Sequence, residues 1–139
     1  VVRKYDIAAI GTAIYIGGYK NLQGKKFPAV GNGVFDNLFA IDFIGEGLYL
    51  QSHSYDNCIM GNKFIRDNLA ESVAIRIKGE EIVGNLITGN EFFKHSIGLK
   101  YEPINHDSIF DNTISNVYHE STPFFDARFT DKNTVFNKT

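Results

Sequence analysis

The string Asn57-Cys58-Ile59-Met60-Gly61-Asn62-Lys63-Phe64 returns as Asn85-Leu86-Ile87-Thr88-Gly89-Asn90-Glu91-Phe92, and no other feature of the chain limits its fold so strongly. A third version reads Asp107-Ser108-Ile109-Phe110-Asp111-Asn112-Thr113-Ile114. A degraded one closes the chain at Asn133-Thr134-Val135-Phe136-Asn137, and Phe27-Pro28-Ala29-Val30-Gly31-Asn32-Gly33-Val34 fits the frame upstream. First positions at 27, 57, 85, 107 and 133 give steps of 30, 28, 22 and 26 residues. An irregular period of this size belongs to solenoids, whose units bury their apolar faces only against one another.

A second element recurs between these strings: Ala13-Ile14-Tyr15-Ile16, Gly47-Leu48-Tyr49-Leu50, Ala74-Ile75-Arg76-Ile77, Gly98-Leu99-Lys100-Tyr101 and, more loosely, Phe124-Phe125-Asp126-Ala127. Its alternation of apolar and variable residues is the period-two signature of a strand with one buried face. Ile and Val supply 24 residues against 15 for Leu and Ala, beside 12 Phe, 13 Gly and 13 Asn, a diet of strands and turns. The nearest helical candidate, Lys63 to Val73, is weakly patterned. Stacking equivalent strands in parallel, about 4.8 Å apart, gives each apolar position a like neighbour. The expectation is an all-β, single-stranded parallel β-helix: one domain over 1–139, irregular over about 1–12 and coiled over about 13–139. Five coils would stand about 24 Å tall.

The stacked Asn-x-Ile-x-Gly-Asn-x-Phe turns and uneven loop lengths resemble the right-handed parallel β-helix of the pectate-lyase-like superfamily, most of all bacteriophage tailspikes and tail appendages. The resemblance implies a polysaccharide ligand, a homotrimer and a virion or extracellular location, with lyase or hydrolase activity as a further option. Related lyases often hold calcium in a carboxylate cluster. Here the outward columns carry only Glu102 and Asp126, so no metal and no cofactor is expected.

Two Asn columns follow from the repeat frame: Asn57, Asn85, Asp107 and Asn133, and, five residues on, Asn32, Asn62, Asn90 and Asn112. Asn tolerates the left-handed backbone of a sharp corner, and stacked amides can bond from coil to coil. The structural role is favoured over ligand binding because inward turn positions are closed to a polymer. The same frame stacks Ile59, Ile87, Ile109 and Val135 in one core column and Val34, Phe64, Phe92 and Ile114 in another.

Function belongs on the opposite side of the Ile/Leu strands. If Ile14, Ile16, Leu48, Leu50, Ile75, Ile77, Leu99 and Tyr101 point inward, one outward column reads Tyr15, Tyr49, Arg76, Lys100, Asp126. The next reads Gly17, Gln51, Lys78, Glu102, Arg128. Arg76 and Lys100 are like charges on adjacent strands, unfavourable unless a carboxylate or an anionic ligand offsets them. Tyr15 and Tyr49 offer aromatic surface to a sugar ring, while Gln51, Arg76, Lys78, Lys100 and Arg128 address hydroxyls and carboxylates. Glu102 and Asp126 on neighbouring coils are the candidate carboxylate pair for glycoside cleavage. Alternating Lys78, Glu102 and Arg128 equally suit a plain solvent-facing charge ladder.

Other chemistries find less support. His53, His95, His106 and His119 form no zinc or triad spacing and read as loop residues, mostly solvated. Cys58 is the one cysteine, so no internal disulfide can form. A net charge of −2 offers nucleic acid no basic footprint, and no apolar run is long enough to span a membrane as a helix. Gly17 to Phe27 is the longest polar loop and the best candidate for a functional excursion. The apolar stretch Phe35 to Ile44 suggests a strand buried on both faces or an intersubunit contact. Five coils with open ends suggest a piece of a longer protein or ends covered by neighbouring subunits. The rival to glycan binding is a non-catalytic shaft or trimerisation module, and a freestanding lyase is a third reading.

Overall fold

The computed structural model describes residues 1–9, 11–41, 46–66, 72–95 and 97–138. The chain winds as a parallel β-solenoid with three sheets along its walls. One regular coil runs through Cys58–Met60 and Lys63–Ile65, then Val73–Gly79, then Ile82–Val83, before the next begins at Leu86. We call the walls the ladder sheet, the long sheet (Ile14–Ile16, Glu46–Gln51, Val73–Gly79, Ile97–Pro103, Pro123–Phe124) and the short sheet (Ala29–Val30, Ser54–Tyr55, Ile82–Val83, Ile109–Phe110). In the ladder sheet two short strands per coil fuse later into Leu86–Phe93 and Thr113–His119, whose register slips between Thr88 and Glu91. About three coils are complete and regular, fewer than the expected five. The first coil is interrupted by an antiparallel hairpin, Tyr19–Lys20 with Lys26–Phe27. The last replaces its short-sheet strand with a helix.

Register corrects the expected core columns. Val2, Val34, Ile59, Ile87, Ile114 and Val135 pair in one row. Ile7, Phe39, Phe64, Phe92 and Tyr118 pair in the next. Ile109 belongs with Ile82 and Ser54 on the short sheet. The aromatic row is a continuous buried stack, with ring centroids 4.4 Å apart for Phe39–Phe64, 5.5 Å for Phe64–Phe92 and 5.1 Å for Phe92–Tyr118. The rings also explain the small residue that opens each long-sheet repeat. A Cβ on Gly47 would stand 2.5 Å from the Phe64 ring, and one on Gly98 would stand 2.8 Å from both Phe92 and Tyr118. Phe64, Phe92 and Tyr118 thus fill space that Gly47 and Gly98 leave open.

Two Asn ladders hold the corners of the ladder sheet, with a different membership from that expected. The first is Asn32, Asn57, Asn85, Asn112 and Asn133. The second is Asn37, Asn62, Asn90 and Asn116. Asp107 lies outside both, in a 3-10 turn, and Asn112 moves to the first. In each rung the backbone N–H and the Nδ2 both donate to the Oδ1 of the rung above, as in Asn57 to Asn85 at 2.9 and 2.8 Å. Nδ2 also donates to a carbonyl of the coil below: Ser54 for Asn85, Ile59 for Asn90. The left-handed residue is not the Asn. It is the residue before it: Gly31, Asp56, Gly84 and Asp111 in the first ladder, Asp36, Gly61 and Gly89 in the second, with φ between 51 and 71°. That residue turns the chain, and the Asn behind it points inward.

The repeat expected at Phe124 to Ala127 is strand only at Pro123–Phe124. Asp126 then caps a helix, α1 (Ala127–Lys132), by accepting from the Phe129 N–H at 3.1 Å. Phe129 is fully buried, 4.5 Å from the Tyr101 ring and 5.4 Å from Phe125, so α1 plugs the core where the next short-sheet strand would lie. The Asn133 Nδ2 donates to Phe129 O at 2.8 Å, joining this plug to the first ladder. In the weak helical candidate, Lys63–Ile65 and Val73 are strand, and 67–71 lie outside the described residues. Within Phe35 to Ile44, Phe39 is buried between half-buried Leu38 and exposed Ala40, so this strand buries one face; 42–45 lie outside the described residues.

Candidate functional site

The outward face of the long sheet carries a stripe of side chains at one residue per strand. Register places Tyr15, Tyr49, Arg76 and Lys100 side by side, as expected, with Phe124 beside Lys100. Gln51, Lys78 and Glu102 form the neighbouring column. Asp126 and Arg128 are in neither. Arg128 sits on α1 and bonds Asp126 at 3.0 Å, because the chain leaves the sheet after Phe124. Glu102 and Asp126 are therefore not cross-strand neighbours. Phe124 was missed because the Phe124 to Ala127 repeat was aligned two residues out of register.

The like-charged pair Arg76 and Lys100 is neutralised within the stripe. Arg76 Nε donates to Glu46 Oε1 at 2.8 Å, and its Nη1 donates to Glu102 Oε2. Lys100 Nζ lies 3.1 Å from Glu102 Oε1 and 5.8 Å above the Phe124 ring. Thr12 donates its hydroxyl to the other oxygen of Glu46 at 2.8 Å. Partial burial of Glu102 opposes ionisation, yet Lys100 and Arg76 outweigh it and hold the carboxyl below its usual range. Burial likewise works against the capping carboxylate of Asp126, but the Phe129 N–H and Arg128 prevail and lower it. Aromatic rings flank the ionic centre. Tyr15 is 54 % exposed and meets Tyr49 edge-on at 5.5 Å, while Phe124 is 57 % exposed at the far end. Lys78 is exposed and, among the described residues, forms no ion pair. An open depression of about 410 Å³ adjoins the Tyr15 end, lined by Gly17, Pro28, Val30 and Asn32 among others.

A second polar cluster was not legible in the sequence, since its members lie up to 55 residues apart. Glu81 receives Lys26 Nζ at 2.7 and 2.9 Å and the Tyr55 hydroxyl at 2.6 Å, with His53 Nδ1 at 3.2 Å. The bonds from Lys26 and Tyr55 lower its carboxyl to about 2, against burial. Burial and the bond to Glu81 push the Tyr55 phenol up to about 12. A phenol so firmly protonated is a poor general base. The cluster clamps the hairpin, through Lys26, onto the coil wall, so the polar excursion of Gly17 to Phe27 is a fastened hairpin.

The histidines are mostly not solvated. His53 is buried in this clamp. His95 is fully buried with Ser72 Oγ 3.0 Å from its Nδ1, and burial together with Arg66 lowers it to about 4. His106 Nδ1 meets the Tyr101 hydroxyl at 2.8 Å, and His119 stacks on Phe93 at 4.4 Å. Among the described residues, no group of three or more His, Cys, Asp or Glu side chains is placed to hold a metal ion. No protein-family model matches the chain, and neither does any curated protein or solved structure.

Proposed function

We propose that the chain is a glycan-binding β-helix module, with the outward stripe of the long sheet as its contact surface. The observation that carries this reading is the stripe itself: exposed Tyr15 and Phe124 bracket an ordered array of hydrogen-bonding charges on adjacent strands. Aromatic faces stack on the C–H faces of pyranose rings, and fixed polar groups select hydroxyl positions. Rigid strands supply these contacts with little ordering cost on binding. A cell-surface polysaccharide, met by a virion tailspike or another extracellular appendage, is the ligand that suits a linear stripe. Cleavage at Glu102 and Asp126 is not part of the proposal, because glycoside hydrolysis requires one carboxyl to be a proton donor and both are held ionised.

The test is retention of the chain on immobilised bacterial polysaccharides and oligosaccharides, compared with Tyr15→Ala and Phe124→Ala. Both side chains are solvent-facing, so the variants should keep the wild-type melting temperature while losing tenfold or more in affinity. Wild-type affinity in both variants would refute the stripe as the contact surface.

A second reading, a trimerisation or shaft module, is favoured by a different wall. Val30, Tyr55, Val83 and Phe110 form one outward column on the short sheet, and Val30 and Phe110 are exposed. Sedimentation of the isolated chain as a stable trimer, dissociated by Val30→Lys and Phe110→Lys, would establish it. A monomer at all accessible concentrations would remove it.

A further inference from the structure

We infer that the stripe selects uncharged sugars and discriminates against uronates, an inference that rests on the glycan-binding reading above and names its ligand class. Arg76 and Lys100 are the cations that a uronate-binding face would use, and both are already committed. Arg76 is held between Glu46 and Glu102, and Lys100 is held by Glu102. The four charges cancel. An incoming carboxylate must displace Glu102 or Glu46 from its partner or sit beside both anions, and like charges in proximity are repelled.

Hydroxyl groups face no such conflict. A hydroxyl donates and accepts, so it can bridge a carboxylate oxygen and an ammonium or guanidinium N–H at once, whereas a carboxylate only accepts. The paired acceptors and donors of Glu46, Arg76, Glu102 and Lys100 match the mixed character of a neutral pyranose edge. The ring faces of Tyr15 and Phe124, electron-rich, stack on the C–H face of a pyranose and offer an anion no attraction. Lys78 is the one cation on this face without an ion pair among the described residues. It stands in register with Glu102, which limits what it can do for an anion.

The experiment measures binding of the full chain to hexasaccharides of glucose, mannose and galactose and to hexamers of galacturonate, mannuronate and guluronate. At least one neutral hexamer should bind tenfold or more tighter than every uronate. Glu102→Gln, checked for folding by its melting curve, frees Arg76 and Lys100 from one anion and should raise uronate affinity about tenfold. A uronate that binds the wild-type chain as tightly as the best neutral hexamer overturns the inference while leaving glycan binding intact. So does a folded Glu102→Gln variant with no gain for uronates. If neither class binds, the glycan reading itself fails and the inference falls with it.

Discussion

Replacing Asn85 by Ala removes the middle rung of the first ladder, and its bonds set the expected cost. Its Oδ1 accepts from the Asn57 N–H at 2.9 Å and from Asn57 Nδ2 at 2.8 Å. Its Nδ2 donates to Ser54 O at 3.0 Å and to Asn112 Oδ1 at 2.9 Å. After truncation Asn57 Nδ2 retains Ala29 O and Asn112 Oδ1 retains the Asn85 N–H, but the Asn57 N–H is left buried without its acceptor. The orphaned donor costs about 1–3 kcal/mol and each of the three other lost bonds about 0.5–1.5 kcal/mol, so about 2.5–7.5 kcal/mol is expected. That is a large share of the roughly 5–15 kcal/mol available to a domain. Asn32 is the internal control. It is exposed and donates to Asn57, and among the described residues none donates to its amide oxygen, so Asn32→Ala should cost less than about 1 kcal/mol. Urea denaturation of both variants reads the difference as a shift in midpoint at constant slope. Equal midpoint shifts for Asn85→Ala and Asn32→Ala would refute the idea that the ladder stabilises through its buried, mutually satisfied amides.

Gly47→Ala should destabilise by about 1–3 kcal/mol through overpacking, because its Cβ would meet the buried Phe64 ring at 2.5 Å. Thermal melts of Gly47→Ala alone and with Phe64→Leu would show the loss and its partial relief, and an unshifted melt would count against the ring-into-gap packing. Stability should fall as pH drops through two separate windows. His95 is held near 4 when folded, so the unfolded chain takes up the proton first and about 3 kcal/mol is lost between pH 6.5 and about 4. Glu81, lowered to about 2 but part-exposed, contributes above pH 4.5 and loses about 1–2 kcal/mol on approach to about 2, after allowance for solvent screening. In pH-dependent urea titrations, His95→Gln should flatten the upper window and Glu81→Gln the lower. An unchanged profile in either variant would remove that group from the account.

The β-helix was legible because its two signals, the Asn string and the alternating Ile/Leu strand, each repeat. Their register was not, and the reason is physical. Every coil turns two similar corners, each with an inward Asn and each five residues apart in two of the clearest strings, so a string match can slip by one corner. It did so in the Phe27 and Asp107 copies, where Asn32, Val34, Asn112 and Ile114 belong to the first corner and Ile109 to the short sheet. The left-handed Gly or Asp before the Asn marks both ladders alike, at Gly31, Asp56, Gly84 and Asp111 in one and at Asp36, Gly61 and Gly89 in the other, so only the amide pairing fixes the frame of the first, Asn32, Asn57, Asn85, Asn112 and Asn133. On that frame the steps are 25, 28, 27 and 21 residues. Helix α1 was missed because six residues are too few to show a 3.6-residue period, although the Asp126 cap and the buried Phe129 three residues later both mark it. In the candidate site, period-two alternation correctly placed Tyr15, Tyr49, Arg76 and Lys100 outward. Glu46 was overlooked because a local irregularity before Leu48 points Gly47 inward and shifts the alternation by one.

A solenoid separates what holds it together from what it shows. Inward columns must repeat nearly the same residue in each coil, as Val34, Ile59, Ile87 and Ile114 do, because each position packs against its own kind. Outward columns carry no such demand, and the stripe Tyr15, Tyr49, Arg76, Lys100, Phe124 changes character at nearly every step. Its ion pairs are part-exposed, where such pairs contribute on the order of 0–1 kcal/mol each, so stability alone does not require them. What they fix is geometry. Arg76 is held from two sides and Lys100 from one, so the hydrogen-bonding pattern of this face is set before any ligand arrives. The binding consequences of Tyr15, Phe124 and Glu102 variants can therefore be measured on a folded scaffold, whereas the ladder and the ring stack will report chiefly on stability.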